Sequence, residues 1–384
     1  MAFLKRKTIK EKMSGVKLGG IDLPFLILVL CLLGFGLVMV CSASYVSAYY
    51  TYGDSFYFFR RQLFFALGGL VIMLVIAFGL KPDWLRKRTM IILVIALILA
   101  VLVLIPGVGI KVNGARRWLG VGGLRLQPSE VVKFAMIVFL SSYVARNYER
   151  LKKFNSLLPA VLTLVLFTGL VAIETHISGA ILIFCVGVIM LLIGGMSIRT
   201  FLTFGGVGVG AITLIVLFTD YAKERINTWL DPFLDPLGDG FQTIQSLYAI
   251  SSGGLGGLGL GQSRQKHLYL PEPHNDYIFS IICEELGFIG ALVVILLFVL
   301  LIWRGFTIAF HHKDRFSSML VIGIVSRVAI QAIFNMMVVT NLFPSTGISL
   351  PFFSYGGTAL VILMAEVGIV LRISRESTLD TQKE

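Results

Sequence analysis

Asp276 is the carboxylate best placed to move a proton. It ends a polar, proline-stiffened loop, Leu268-Tyr-Leu-Pro-Glu-Pro-His-Asn-Asp276, after which the chain becomes apolar as far as about Trp303, long enough to cross a bilayer. A carboxylate at such a junction meets water on one side and is held by a helix on the other, as a general base requires. The second group of candidates is cationic. Lys111, Arg116, Arg117 and Arg125 stand without an acid in the stretch 106–128. Such a cluster attracts anions: lipid phosphates beside an interfacial Trp118, or a dedicated phosphate or diphosphate ligand. Glu130 and Lys133, three residues apart, share a helix face, where they can pair or jointly face a polar pocket.

These groups must be held by membrane helices. Of the 384 residues 57% are hydrophobic, above the roughly 45–50% of a soluble domain. Apolar stretches fall at about 23–44, 62–80, 90–105, 130–145, 157–174, 177–195, 200–219, 277–303, 317–340 and 354–372, each near the length of a spanning helix. An all-α polytopic membrane protein of about ten spans follows. It forms one membrane domain over 22–372, flanked by a basic tail, 1–21, and a polar tail, 373–384. The first apolar run is too long for a cleaved signal core and is followed by many others. With both ends inside, inner segments carry about twice the Lys and Arg of outer ones, 21 against 10, which orients the chain N-in and C-in. The net charge of +12 is thereby explained by topology, and no nucleic-acid partner is expected.

The outer loop 220–276 is too long for a plain connector. Phe233, Phe241, Ile244, Leu247, Tyr248 and Ile250 suit a short amphipathic helix within it. The glycine run 253–261 lacks the lysine and hydroxyl of a nucleotide loop, leaving a hinge or close backbone packing. Cys31, Cys41, Cys185 and Cys283 all lie in apolar runs and read as small hydrophobes. Glu284 lies about 12 Å deeper than Asp276 at 1.5 Å per residue, so Glu284 and Glu285 are expected to pack or to balance charge. Arg327 shares a face with Gln331 and Asn335, and Glu366 is its expected partner in a buried pair. Glu174 and His176 sit in a tight turn, and His176 reads as a turn residue. The histidines show no metal-ligating pair. A magnesium or manganese ion bridging a diphosphate and outer carboxylates is compatible with the sequence, because such sites need few protein ligands.

Four ordered motifs carry a resemblance: Asn113-Gly-Ala-Arg-Arg-Trp118, Gln127-Pro-Ser-Glu-Val-Val-Lys133, Pro271-Glu-Pro-His-Asn-Asp-Tyr-Ile-Phe279 with Glu284-Glu-Leu-Gly287, and Thr346-Gly-Ile-Ser-Leu-Pro-Phe-Phe-Ser-Tyr-Gly-Gly357. Together with the span pattern they resemble the SEDS family (shape, elongation, division and sporulation: FtsW, RodA and SpoVE) over nearly the whole chain, with wording closer to the division and sporulation branch. The resemblance implies a peptidoglycan glycosyltransferase in the bacterial cytoplasmic membrane. It would polymerise lipid II on the outer face and work with a class B penicillin-binding protein. By position, the family's essential acid falls on Asp276, its polar cavity residues on Glu130 and Lys133, and an outer arginine on Arg60 or Arg61. Glu272, His274 and Ser354, within the matching motifs, are expected to contact substrate beside Lys111, Arg116 and Arg117. One departure is evident: Glu174-Thr-His-Ile-Ser-Gly179 lacks the proline and aspartate of the family's Glu-Pro-Asp-x-Gly turn.

On this reading Asp276 takes the proton of a GlcNAc 4-hydroxyl while cations stabilise the departing diphosphate, an inverting transfer that needs no covalent intermediate. Two alternatives come from other classes. A lipid II flippase would need polar groups along the full crossing, and a non-catalytic scaffold for the transpeptidase would tolerate loss of the charged set.

Overall fold

The computed structural model describes residues 19–112, 115–121, 124–174, 176–206 and 226–381, with the backbone alone at 111, 112, 115, 121, 124 and 377–381. Among the described residues seven helices are long and apolar enough to span a membrane: α1 (Leu23–Tyr52), α2 (Tyr57–Gly79), α5 (Pro128–Asn147), α6 (Phe154–Ile173), α9 (Ile278–Phe310), α10 (Arg315–Val339) and α11 (Gly357–Thr381). Two apolar helices are shorter, α4 (Thr89–Leu104) and α7 (Ile177–Ile193). α3 (Pro82–Lys87) is a short link and α8 (Phe241–Gly253) lies in the long loop. The seventh expected span, 200–219, is helical over 198–206, and 207–225 lie outside the described residues.

Local signals set the helix ends. Asp22 caps α1 by accepting from the Phe25 amide at 3.0 Å, and α1 stops at Gly53, which takes the left-handed conformation at φ 70° that a glycine adopts without steric cost. Asp314 caps α10 through the Ser317 amide. α5 begins at Pro128, where a missing amide hydrogen costs nothing.

The described loops sort to two opposite ends of the bundle. At one end Arg304 pairs with Asp22 at 2.7 Å, Arg86 with Asp314 at 3.6 Å, and the Arg375 guanidinium reaches the Ala77 carbonyl. At the other lie the α1–α2 turn, the α6–α7 turn and the loops that precede α9 and α11. α5 and α10 form the centre of the bundle, with 78% and 72% of their most apolar windows buried, whereas α1, α2, α6 and α9 bury 28–39%. The low values are those of lipid-facing helices, on which exposed Leu, Val and Phe carry no penalty.

Two features of the fold were not foreseen. The stretch 106–128 contains a small antiparallel sheet, β1 (Gly109–Val112), β2 (Ala115–Val121) and β3 (Leu124–Leu126), in the order β1-β2-β3. Arg116 and Arg117 are thereby fixed on a strand and point to opposite faces. α9 is also broken at Gly287, with φ 66° and ψ −167°. At the break Phe288 and Ile289 lose their helical acceptors and Glu284 and Glu285 their donors. The glycine run supplies all four partners: Leu258 and Gly259 donate to the Glu284 and Glu285 carbonyls, while Phe288 and Ile289 donate to those of Gly254 and Leu255. Buried backbone groups must be paired, and only glycine lets the two backbones come this close. A Cβ on Gly257 would stand 2.2 Å from the Glu285 carbonyl oxygen. The run is therefore close packing, not a hinge.

Candidate functional site

Asp276 stands at the mouth of the bundle, one residue before Tyr277, which caps α9. Its backbone carbonyl accepts from Asn335 Nδ2 on α10 at 2.7 Å, and the same amide donates to the Ile348 carbonyl at 2.6 Å. One fully buried asparagine thus ties the loop before α9 to the loop before α11. Gly347 lies against the carboxylate on that second loop. The side chain of Asp276 is half-buried, and among the described residues nothing hydrogen-bonds to its carboxylate. Burial raises its pKa to about 6, with help from the negative charge of Glu272 and against the pull of Arg117. A base that is ionised at neutral pH, yet still holds a proton well, suits abstraction of a hydroxyl proton.

Arg117 on β2 is the nearby cation: its charge acts on both Asp276 and Glu174. Glu174, buried in the α6–α7 turn, is pushed up to about 8 by burial, opposed by Arg117. His176 follows it and is drawn down to about 3, first by burial and then by Lys133 and Arg117.

Glu130 and Lys133 lie within a larger group. The Lys133 ammonium is 2.5 Å from Glu130 Oε1, the Arg327 guanidinium is 2.6 Å from Glu130 Oε2, and its other terminal nitrogen pairs with Glu366. Two cations and two carboxylates from α5, α10 and α11 form one neutral, buried cluster. The pair expected between Arg327 and Glu366 is present, and its extension to Glu130 crosses 197 residues of sequence. Lys133 is engaged by Glu130, so an anionic ligand would have to share it. Toward the opposite end there is no further Asp, Glu, Lys or Arg until Arg146 on α5, Arg315 on α10 and Arg372 on α11.

The remaining candidates divide. Arg60 is exposed and pairs with Asp54, and Arg61 donates to the Tyr57 hydroxyl at 2.8 Å. Glu272 is exposed at the turn, takes a left-handed backbone at φ 44° and accepts from Asn275 Nδ2. His274 is buried against Phe58, ring centroids 4.2 Å apart, with its pKa lowered to about 4 by burial. The Ser354 hydroxyl donates to the Asn275 carbonyl at 2.8 Å and accepts from the Leu350 amide at 2.7 Å. It is occupied in joining the same two loops that Asn335 joins. The backbone of Lys111 lies in β1, and its side chain falls outside the described residues.

Sequence reasoning assigned Glu284 and Glu285 to packing, and both are fully buried. Glu284 accepts from the Ser263 hydroxyl at 2.5 Å and from the Arg264 amide at 2.9 Å, while Glu285 binds Lys266 and Ser42. Reasoning missed Lys266 and Asn335 as the residues that anchor the site's loop. The signal for Asn335, a polar residue on an otherwise apolar helix, was visible, whereas Lys266 lies in the polar run 262–267 and carried none. No group of three or more His, Cys, Asp or Glu among the described residues forms a metal cage. The carboxylates that could face a substrate-borne divalent ion are Asp276 and Glu272.

Comparison with known proteins identifies the family and the fold. The family model described as cell cycle protein, FtsW/RodA/SpoVE, matches residues 23–379. The chain is 44% identical to stage V sporulation protein E of Bacillus subtilis over 93% of its length and 97% of that protein. It is 42% identical to the probable peptidoglycan glycosyltransferase FtsW of Trichlorobacter lovleyi, over 93% and 94%. Among solved structures it resembles a chain from a study of the structural coordination of polymerization and crosslinking by a peptidoglycan synthase complex. That match has a TM-score of 0.76, 29% identity and coverage of 93% and 98%. The rod shape determining protein RodA of Thermus thermophilus matches with a TM-score of 0.68 at 26% identity, over 92% and 97%.

Proposed function

We propose that this chain, which belongs to the FtsW/RodA/SpoVE family, is a peptidoglycan glycosyltransferase that polymerises lipid II into β-1,4 glycan strands at the outer face of the bacterial cytoplasmic membrane. The observation that carries the mechanism is the carboxylate of Asp276: half-buried, free of hydrogen bonds among the described residues, and within electrostatic range of Arg117 at the end of the bundle opposite the basic inner loops.

Asp276 accepts the proton of the incoming GlcNAc 4-hydroxyl as its oxygen attacks the anomeric carbon of the donor. The diphosphate departs with the bonding electrons and needs no proton. Arg116, Arg117, Arg60 and Arg61 offer positive charge to it, and Lys133 lies behind them. An α-linked diphosphate becomes a β link in one displacement. A magnesium or manganese ion carried on the diphosphate would add charge to the same region, with Asp276 and Glu272 as the carboxylates within reach.

The buried cluster reaches the middle of α10 and α11, and beyond it α5, α10 and α11 carry no further Asp, Glu, Lys or Arg toward the other face until their ends, which speaks for an enzyme over a flippase. A class B penicillin-binding protein is the expected partner, by analogy with the synthase complex that the fold resembles. The test is purified protein, with and without such a partner, incubated with lipid II and assayed for glycan polymer. Polymer from wild type and none from Asp276→Asn supports the assignment. Polymer at wild-type rate from the variant removes it.

A further inference from the structure

The α6–α7 turn joins the two halves of the site. On one side His176 Nδ1 lies 3.2 Å from the Ser129 hydroxyl and 3.3 Å from Gln127 Nε2. These are the cap and first turn of α5, the helix that carries Glu130 and Lys133. On the other side the Ser178 hydroxyl donates to the Thr346 carbonyl, next to Gly347, the residue against the Asp276 carboxylate. The ring of His176 occupies a prepared slot: a Cβ on Gly179 would stand 2.7 Å from Nδ1 and 2.8 Å from Cε1.

We infer that His176 is a positioning residue that fixes the first turn of α5 and, with Ser178, sets the Glu130 and Lys133 helix in register with the Asp276 loop. The Gln127 Nε2 group that faces the ring can only donate, which makes Nδ1 the acceptor and puts the ring proton on Nε2. An uncharged ring is the form the surroundings favour. Arg117 faces it from β2 and Lys133 from α5, with Glu130 the opposing charge. A neutral ring adds no negative charge beside Arg117 and Lys133, whereas an acid at this position would compete with an anionic ligand for them.

Two measurements test this. The first is hydrogen exchange of the purified protein in detergent, comparing wild type, His176→Ala and His176→Gln over the peptides that cover 127–133 and 343–349. The alanine variant should speed exchange in both segments about tenfold, the weight of one or two lost hydrogen bonds, and glutamine, which keeps an acceptor, should restore protection. Unchanged exchange in His176→Ala, or a glutamine variant no better than alanine, overturns the inference whether or not the protein polymerises lipid II. The second rests on the proposed glycosyltransferase reading. His176→Asp, with an acid set against Arg117 and Lys133, should raise the KM for lipid II about tenfold while kcat falls less, and His176→Gln should stay near wild type in both. An aspartate variant with wild-type KM also counts against it. Absence of polymer from wild type would instead indict the enzymatic reading and leave the exchange result to decide the role of His176.

Discussion

Gly347 takes a left-handed backbone at φ 66°, and a Cβ on it would lie 3.2 Å from Asp276 Oδ2. The residue that floors the carboxylate is therefore one that lacks a side chain. Replacement by alanine meets two obstacles, a backbone conformation that costs an L-residue roughly 1–2 kcal/mol and a methyl group pressed on the base. Gly347→Ala should fold, with a modestly lowered Tm, and lose about tenfold or more in kcat through displacement of the carboxylate. Steady-state polymerisation together with a melting curve separates the two effects, and a variant with wild-type kcat would show that Asp276 tolerates movement.

The pH profile should report Asp276 directly. Its pKa is raised to about 6 by burial and Glu272, against Arg117. A base must be ionised to act, so kcat/KM should fall as pH drops below about 6. Asp276→Asn should lower the rate at pH 7.5 by about a hundredfold or more and abolish this limb. Glu272→Gln removes one of the charges that raises the pKa and should move the limb to lower pH. Arg117→Gln should move it up. A limb that does not respond to either substitution belongs to another group.

Much of this site is legible in the sequence. Asp276 stands out because a lone acid at the start of an apolar helix is costly unless it has work to do, and the spans are legible because lipid demands long apolar runs. The sheet over 109–126 was not, since its strands are short and glycine-rich and carry no sustained alternation. The bond between Glu130 and Arg327 was not legible either. Sequence spacing shows which residues share one helix face, but the meeting of α5, α10 and α11 is a property of packing. The break at Gly287 was hidden for a related reason: the hydrogen bonds that permit it come from residues 254–259, about thirty positions earlier.

The glycine run yields a structural prediction. Gly253 and Gly257 approach the Cys283 and Glu285 carbonyls so closely that a Cβ would stand at 1.9 and 2.2 Å, a distance that backbone cannot absorb by a rotamer change. Gly257→Ala should push the 254–270 segment off α9 and leave the backbone groups at the Gly287 break without partners, each worth about 1–3 kcal/mol. Limited proteolysis should then cut between 254 and 277 in the variant under conditions where wild type stays intact. Gly256→Ala, where nothing lies within 4 Å of the added carbon, is the matched control and should resist cleavage.

The neutral cluster of Lys133, Glu130, Arg327 and Glu366 should respond to charge balance more than to the loss of any one contact. Arg327→Met leaves two buried carboxylates facing one ammonium, and removal of one partner from a buried pair costs about 3–5 kcal/mol. Arg327→Met with Glu366→Gln restores neutrality and should recover most of the lost stability in a chemical-denaturant titration. A double variant as unstable as the single would mean that the geometry of the guanidinium fork, not its charge, holds the three helices together.

Glu174 makes the last prediction, in which stability and pH are linked. Burial raises its pKa to about 8 against the pull of Arg117, well above its unfolded value. The native state therefore binds the proton more tightly than the unfolded chain, and the stability this confers is complete below about pH 4.5 and declines as pH climbs through 8. Wild type should lose Tm between about pH 4.5 and 8 and level off above that. Glu174→Gln keeps the shape of the protonated acid and cannot ionise, so its Tm should match wild type near pH 4.5 and exceed it increasingly up to about pH 8. If the two curves run parallel across that range, the carboxyl ionises freely in the folded protein, and the turn that carries His176 is more open to water than its burial implies.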